Sequence, residues 1–175
     1  MSRAVRFFTA LVIAMAVLAA CCGPSRPTLS LVSYASYELR VHSNTKESDA
    51  REGAAIWTDT GLVTFTWGPS WAGDPMATAK PGECTNVILV GWVGTDDASL
   101  AQLEPGKVAY AIESCAHKRV ALVRGRVKDV PRTIAHELGH AMGLDHVADG
   151  IMFSREDGAG EITCDDVDEF CRVHA

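Results

Sequence analysis

The sequence predicts an α+β domain, in which strands outnumber helices and two helices end the chain. Three observations support this. Short segments of alternating or continuous apolar residues, rich in valine and isoleucine, recur along the chain at strand length. An early segment places small and apolar residues on one helical face. Two further helical patterns, each opened by a capping signal, follow the last predicted strand.

The first half of the chain is predicted to form a strand, a helix and a second strand. Residues 37–41 alternate in polarity as a strand does. Residues 44–58 are predicted to form a helix that Asn44 or Thr45 can cap. Its buried face would consist of Ala50, Ala54 and Trp57. Residues 62–67 form the second strand, because they alternate and are β-branched or aromatic.

Three more strands are predicted before the last two helices. Residues 87–93 are almost continuously apolar, which is typical of a central strand buried on both faces. Residues 108–112 and 119–123 are the other two strand candidates. Asp129 and Pro131 then open a helix, since an acidic residue and a proline are both tolerated in the first turn.

Residues 136–146 read His-Glu-Leu-Gly-His-Ala-Met-Gly-Leu-Asp-His. On a helix, His136 and His140 are four residues apart and share one face, and Glu137 projects beside them. Gly143 is suited to the left-handed conformation that ends a helix. After that turn His146 can return toward the first two imidazoles. Three histidines with one open position are typical of a catalytic zinc site.

This segment, with Asp149-Gly150-Ile151-Met152 after it, resembles the histidine signature and Met-turn of metzincin metalloproteases, and among them the matrixins. The resemblance implies that zinc is the cofactor and that Glu137 is the catalytic general base. It also implies that Met152 lies beneath the metal and that Gly143 is the helix-ending turn. The implied zinc ligands are His136, His140 and His146.

The resemblance also implies a metzincin-like zincin fold. Such a fold contains a twisted mixed β-sheet, a long helix in the N-terminal half, an active-site helix, the Met-turn and a C-terminal helix. Thr163-Cys-Asp-Asp is a capping-box-like start for that last helix. By the same resemblance, residues 108–112 would be an antiparallel edge strand that binds an extended substrate by strand addition.

Two neighbours of the motif differ from the metzincin subfamilies. Val147 follows the third histidine and Ser154 stands two residues after Met152, so no subfamily is assigned. Asp145 has two possible roles. It is either an alternative metal ligand or a turn carboxylate that supports the ligands without touching the metal.

The tryptophans and the acidic tail allow weaker predictions. Trp57 and Trp67 are predicted core residues, whereas Trp71, in a Gly/Pro-rich loop, is predicted near a cleft. The acidic residues near the C-terminus could bind calcium, but their spacing does not match that of a known calcium-binding loop. A solvated acidic surface explains these residues better. The tail residues are Glu156, Asp157, Glu161, Asp165 and Asp166.

The N-terminus resembles that of a bacterial lipoprotein. Arg3 and Arg6 precede an apolar run over residues 7–18, as in a signal peptide. Leu18-Ala19-Ala20-Cys21 resembles a lipobox, which implies cleavage before Cys21 and lipid attachment to its sulfur. Plain secretion with cleavage nearby is the alternative. The predicted organisation is a signal peptide over 1–20, a lipidated cysteine and tether over 21–30, and one metalloprotease catalytic domain over 31–175.

Charge limits the partners of the mature chain. Without Arg3 and Arg6 it contains 14 basic and 22 acidic residues, a net charge near −8. This balance argues against nucleic acid or an anionic membrane surface as an electrostatic partner. Membrane contact would come through the lipid anchor, on the extracytoplasmic side of a bacterial membrane, and a monomer is expected.

Five cysteines follow Cys21, namely Cys22, Cys84, Cys115, Cys164 and Cys171. An exported chain can keep disulfides. On an intact helix Cys164 and Cys171 would lie about 10.5 Å apart, which exceeds the about 7 Å limit for a disulfide. They are therefore not expected to pair with each other. Cys84 and Cys115 would pair together or with the helix, and the sequence leaves both pairings open.

These observations predict a zinc-dependent endopeptidase that acts on extracytoplasmic polypeptides. Two alternatives stay open. One is a zinc-binding surface lipoprotein without catalysis, and the presence of Glu137 argues against it. The other is a zinc hydrolase that acts on cell-wall peptides, which nothing in the sequence excludes.

Overall fold

A computed structural model describes residues 35–72, 86–94, 107–114, 117–154 and 160–174. These residues form five strands and three helices, so the predicted α+β class is confirmed. In chain order the elements are β1 (Ala35–Val41), α1 (Glu47–Thr58), β2 (Val63–Trp67), β3 (Val87–Val93), β4 (Ala109–Ser114), β5 (His117–Val123), α2 (Val130–Ala141) and α3 (Cys164–His174). The predicted signal peptide, Cys21, the tether, Cys22, Cys84 and Cys115 lie outside the described residues.

The five strands form one mixed sheet in the order β2-β1-β3-β5-β4. The first four of these strands are parallel to one another, and β4 alone runs antiparallel, beside β5. Strand β3 is central, as its apolar run predicted, and Val90 pairs with Val41 on one side and Val120 on the other. Strand β4 is at the edge, so its outer backbone groups are available to an added strand.

The core joins α1, α2 and α3 around one tryptophan. Trp57 of α1 is fully buried and donates its indole N–H to the carbonyl of Ala135 in α2, at 2.7 Å. Its ring lies 6.4 Å from that of Phe170 in α3, which is also fully buried. A buried indole therefore has its polar atom paired while its rings fill the space between helices. The predicted core role of Trp57 is confirmed, and Trp67 packs against the same core.

The start of α1 differs from the prediction. The helix begins at Glu47, and neither Asn44 nor Thr45 caps it; the residue before it is Lys46, which makes no side-chain cap. Asn44 instead bonds to the backbone of Trp92 at the end of β3, donating to its carbonyl at 3.0 Å and accepting from its N–H at 3.2 Å. The amide therefore joins the loop to the sheet. This long-range pairing replaces the local cap that the sequence suggested.

Helix α3 runs without a break through Cys164 and Cys171, and the two are not joined to each other. The prediction from helix geometry is confirmed. None of the helices in the described parts of the chain has the length and apolar character needed to cross a membrane.

Helices α1 and α2 approach each other closely at Gly53, which is buried. A Cβ atom at this position would lie 2.5 Å from the carbonyl oxygen of Pro131 and 3.0 Å from Cβ of Ile134. Both contacts are with α2, whose placement carries the histidines. The glycine is therefore required by the distance between the two helices.

We predict that Gly53→Ala destabilises the protein, although alanine is the better helix former by about 1 kcal/mol. Overpacking against a backbone carbonyl costs about 1–3 kcal/mol, so the net free energy of unfolding should fall. Urea denaturation of both proteins measures the difference. Glu52→Ala, on the exposed side of the same helix, is the control and should leave stability nearly unchanged. A more stable Gly53→Ala would contradict the close approach.

Candidate metal centre

Helix α2 begins and ends as its sequence predicts. Asp129 is the N-cap, and its carboxylate accepts the N–H of Arg132 at 3.1 Å. At the other end Gly143 adopts a φ of +95°, which is left-handed. The N–H of Leu144 then bonds back to the carbonyl of Gly139 at 3.0 Å, as in a Schellman motif. The predicted helix-ending role of Gly143 is confirmed, and the turn sends the chain back toward the helix.

The turn brings the three predicted ligands together. The ligand nitrogens of His136, His140 and His146 all lie within 4.8 Å of one another. The Nε2 atoms of His140 and His146 are 3.1 Å apart. Two nitrogens bound to one tetrahedral zinc at about 2.0–2.1 Å would be separated by about 3.3 Å. The three histidines are therefore close enough to bind a metal ion.

Two backbone carbonyls orient these rings. Nδ1 of His136 donates to the carbonyl of Ile151 at 2.7 Å, and Nδ1 of His140 donates to the carbonyl of Leu144 at 2.8 Å. Because a carbonyl oxygen can only accept, Nδ1 carries the proton in both rings. Nε2 of each neutral ring then carries a lone pair that a metal ion can accept. The donor set thus fits a metal that prefers imidazole nitrogen.

Burial keeps these imidazoles in the neutral form that binds metals. Desolvation lowers the pKa of His136 to about 4, partly offset by its hydrogen bond to Ile151. Desolvation also lowers the pKa of His140. The charges of Arg132 and Lys107 act in the same direction, on His136 and His140 respectively.

Glu137 lies beside the histidines in a nearly closed environment. The residue is only 6% exposed, and its Oε2 atom has no hydrogen-bond partner among the described residues. Burial raises the pKa of its carboxyl to about 7, and the nearby charge of Lys107 opposes that rise. A carboxylate with a pKa near neutrality can both accept and release a proton. An unpartnered oxygen in the cleft is suited to a substrate or water.

The turn after the ligands packs directly on α2. Met152 is fully buried, and a Cβ atom at Gly139 would collide with its sulfur. The loop that carries His146 joins the same turn, because the N–H of Val147 donates to the carbonyl of Met152 at 3.2 Å. Met152 therefore supports α2 next to His140. Its position beneath a bound metal stays a prediction.

A buried carboxylate on α3 holds this turn. Asp166 is fully buried and accepts the backbone N–H groups of Ile151, Met152 and Thr163 at 3.0, 2.9 and 2.8 Å. The bond to Thr163 is the N-terminal capping interaction that the sequence suggested. The two bonds to the Met-turn were not predicted. Since Ile151 is the residue whose carbonyl orients His136, Asp166 supports a metal ligand through one intervening residue.

The acidic tail contributes no second set of ligands within the described residues. Among them, the three histidines are the one group of three or more ligating side chains that could share an ion. Asp166 is occupied by backbone amides, whereas Glu161 and Asp165 are exposed. Glu156 and Asp157 lie outside the described residues.

Asp145 precedes the third ligand but faces α3. Its side chain lies 3.3 Å from Arg172, and its backbone N–H donates to Glu169 at 3.0 Å. The ligand group contains His146 and does not contain Asp145. These bonds tie the backbone next to His146 to α3. That the Asp145 side chain supports a bound metal without touching it stays a prediction.

The histidines open into a cleft between β4 and α2. The volume of this cleft is about 1340 Å³. Pockets for small molecules usually have volumes of about 300–1,000 Å³, so this cleft is larger. Its lining includes Glu137, Phe153, the first three residues of β4 and Val108, which precedes that strand. Trp71 does not line it, so its predicted position near a cleft was wrong. A bridge to His42 places Trp71 at the end of β1, with its ring 4.7 Å from the imidazole.

Sequence reasoning missed two features of the site. Asp166 was recognised only as part of a helix start. Four cationic residues that line the cleft were not singled out: Lys107, Arg126, Lys128 and Arg132. The position of Arg132 could have been predicted from the sequence, because it is four residues before His136 and must lie on the same face of the helix.

No protein-family model matches this chain, and a search among curated proteins finds no match. The resemblance to metzincins therefore rests on the residues of the motif.

We predict that Asp166→Asn lowers the free energy of unfolding by about 2 kcal/mol, since hydrogen bonds to a charged group contribute about 1.5–3 kcal/mol. An amide NH₂ cannot accept, so at least one backbone N–H would lose its partner. The expected loss is measurable by urea denaturation. Asp165→Asn removes the same charge from the exposed neighbouring position and should have little effect. Equal stability of both variants would contradict the role of Asp166.

Proposed function

We propose that this chain is a zinc-dependent endopeptidase of metzincin type. One observation gives the proposal its strongest support. Two imidazoles have their Nδ1 atoms bound to backbone carbonyls, and their ligand atoms lie within 4.8 Å of each other and of a third histidine. Beside them lies a buried carboxylate with an unpartnered oxygen. A metal site with a general base next to it is suited to hydrolysis.

The donor set favours zinc as the metal. Three neutral imidazole nitrogens without a sulfur ligand leave one position of a tetrahedral ion open, which is the arrangement of catalytic zinc sites. Zinc bound there would supply a Lewis acid that lowers the pKa of water and polarises a carbonyl.

Glu137 would move the protons of the reaction. Its carboxylate accepts a proton from the attacking water as the new C–O bond forms at the substrate carbonyl. It then delivers that proton to the amine nitrogen as the C–N bond breaks. Burial raises the pKa of Glu137 to about 7, and this rise would oppose the lowering that a bound zinc ion would cause. The products are a carboxylic acid and an amine, and Glu137 returns to its starting state.

The edge strand would hold the substrate. Residues Val108 to Ala111 border the cleft, and β4 is the antiparallel edge of the sheet. A polypeptide in extended conformation can add to such an edge through main-chain hydrogen bonds. This would place its backbone along the cleft and a peptide carbonyl near the histidines. Phe153, on the Met-turn side, would contact a substrate side chain.

The proposed location follows from the N-terminal sequence. We infer a lipoprotein anchored through Cys21 on the extracytoplasmic side of a bacterial membrane, with secretion as the alternative. The proposed substrate is then an extracytoplasmic polypeptide. A peptide of the cell wall is the second candidate, because the same chemistry cleaves any accessible amide. A purely metal-binding lipoprotein would gain nothing from burying Glu137 at a cost in desolvation.

We predict that Glu137→Gln keeps zinc and loses at least about 100-fold in turnover, as is usual when a general base is removed. Glutamine preserves the shape but cannot take the proton. The full-length chain, purified in detergent, would be assayed on a mixed peptide library and on cell-wall peptides, with and without a chelator. Zinc content would be measured in parallel. A Glu137→Gln variant that retains full chelator-sensitive activity would refute the role.

We also predict that His146→Ala lowers zinc affinity by more than about 100-fold, because loss of a ligand should exceed the 10–100-fold typical of supporting residues. Competition with a chromogenic chelator measures the affinity. His174→Ala, at the end of α3 and outside the group of three histidines, is the control and should bind one zinc as tightly as the parent. If both variants bind zinc equally, the third ligand is not His146. A folded parent that binds zinc and cleaves no substrate would favour the binding-module alternative.

A further inference from the structure

His146 differs from the other two histidines of the metal centre in how its ring is held. The rings of His136 and His140 are each oriented by a backbone carbonyl that is bound to Nδ1. Among the described residues the ring of His146 has no such carbonyl, and its one hydrogen bond is with Nε2 of His140. It is also the exposed member of the three. Its position therefore depends largely on the backbone on either side of it.

Two hydrogen bonds fix that backbone. After the histidine, the N–H of Val147 donates to the carbonyl of Met152 at 3.2 Å. Before it, the N–H of Asp145 donates to Oε1 of Glu169, in α3, at 3.0 Å. The first bond joins two backbone groups and does not depend on a side chain, whereas the second requires the carboxylate of Glu169. The approach of the chain to His146 is thus set by a residue of α3.

Arg172, one helical turn after Glu169, fixes the orientation of that carboxylate. Its Nε donates to Oε2 at 2.7 Å and its Nη2 donates to Oε1 at 2.5 Å, so the guanidinium binds both oxygens. These hydrogen bonds hold the pKa of Glu169 below its usual value. Nη2 also lies 3.3 Å from a carboxylate oxygen of Asp145. A carboxylate already held by a bidentate arginine has a fixed geometry in which to accept the backbone N–H.

Glu169 stands three residues after Asp166, so the two carboxylates lie on one face of α3. Asp166 accepts the N–H of Ile151, whose carbonyl orients His136. Glu169 accepts the N–H of the residue before His146. Helix α3 therefore carries one carboxylate for the segment that orients the first ligand and another for the segment that carries the third.

We propose that Glu169 is a positioning residue of the metal centre, because its bond to the N–H of Asp145 holds His146 where all three imidazoles can reach one ion. This inference rests on the metal site of the proposed function and on no step of the proposed hydrolysis. Without the bond, the residue before the third ligand loses its backbone attachment to α3. Residues that support a ligand in this way typically contribute about 10–100-fold to metal affinity.

The test measures zinc affinity in the full-length chain, purified in detergent, by competition with a chromogenic chelator. Glu169→Ala should bind zinc about tenfold more weakly than the parent, because the third ligand is less well placed. Asp165→Ala is the matched control, since it removes an exposed carboxylate from the same helix, and it should bind zinc as the parent does. Equal affinity in Glu169→Ala and the parent would overturn the inference.

Two further readouts separate positioning from a general loss of stability. The visible absorption of Co²⁺, bound in place of zinc, reports the arrangement of its ligands. This spectrum should change in Glu169→Ala and return in Glu169→Gln, because the amide oxygen can still accept the N–H of Asp145. Urea denaturation of the metal-free variants measures their free energy of unfolding.

Three results would contradict the role of Glu169. One is a Co²⁺ spectrum of Glu169→Ala that is identical to that of the parent. Another is a Glu169→Gln variant that binds zinc as weakly as Glu169→Ala. The third is a lower free energy of unfolding in Glu169→Ala with unchanged zinc affinity, which would indicate a purely structural role.

No substrate enters these measurements, so the inference and the proposed function can fail separately. Weaker zinc binding by Glu169→Ala, in a chain whose parent cleaves no peptide, would support the inference and count against the peptidase. Peptide cleavage by a parent whose zinc affinity does not depend on Glu169 would support the peptidase and overturn the inference.

Discussion

The buried carboxylate of Asp166 holds the turn at residues 149–152 against α3, and the metal centre depends on that attachment. Its bonds to Ile151 and Met152 fix a stretch of backbone that has no regular structure of its own. The carbonyl of Ile151 orients His136, and the carbonyl of Met152 receives the loop that carries His146. A single charge in the interior is stabilised by backbone donors, and it organises two of the three ligands.

Close packing transmits this arrangement to the rest of the domain. Gly139 leaves room for Met152, and Gly53 leaves room for the start of α2. Trp57 bonds to the carbonyl of Ala135, next to the first ligand, while its ring contacts the layer formed by α3. Because such contacts have almost no free volume, the position of the histidines is determined by the packing of three helices. The sheet supplies the opposite wall of the cleft.

The features that could be predicted from the sequence are those with local causes. The spacing of His136 and His140, the cap at Asp129 and the turn at Gly143 each depend on one or two helical turns, and the structure agrees. The apolar run of β3 predicted its central place for the same kind of reason. Asn44 and Trp71 were misjudged because their partners, Trp92 and His42, lie elsewhere in the fold. The bonds of Asp166 to the Met-turn and the gathering of the cleft cations likewise require the tertiary fold.

The ligands and the carbonyls that orient them are close together in the chain, and this has a consequence for folding. All of them lie between residues 136 and 151, so the segment closes only short loops, whereas β3 must find β1 and β5 across distant parts of the sequence. Closing a short loop costs less entropy than closing a long one. Bringing the histidine segment and its orienting carbonyls together therefore costs less chain entropy than pairing the strands of the parallel sheet.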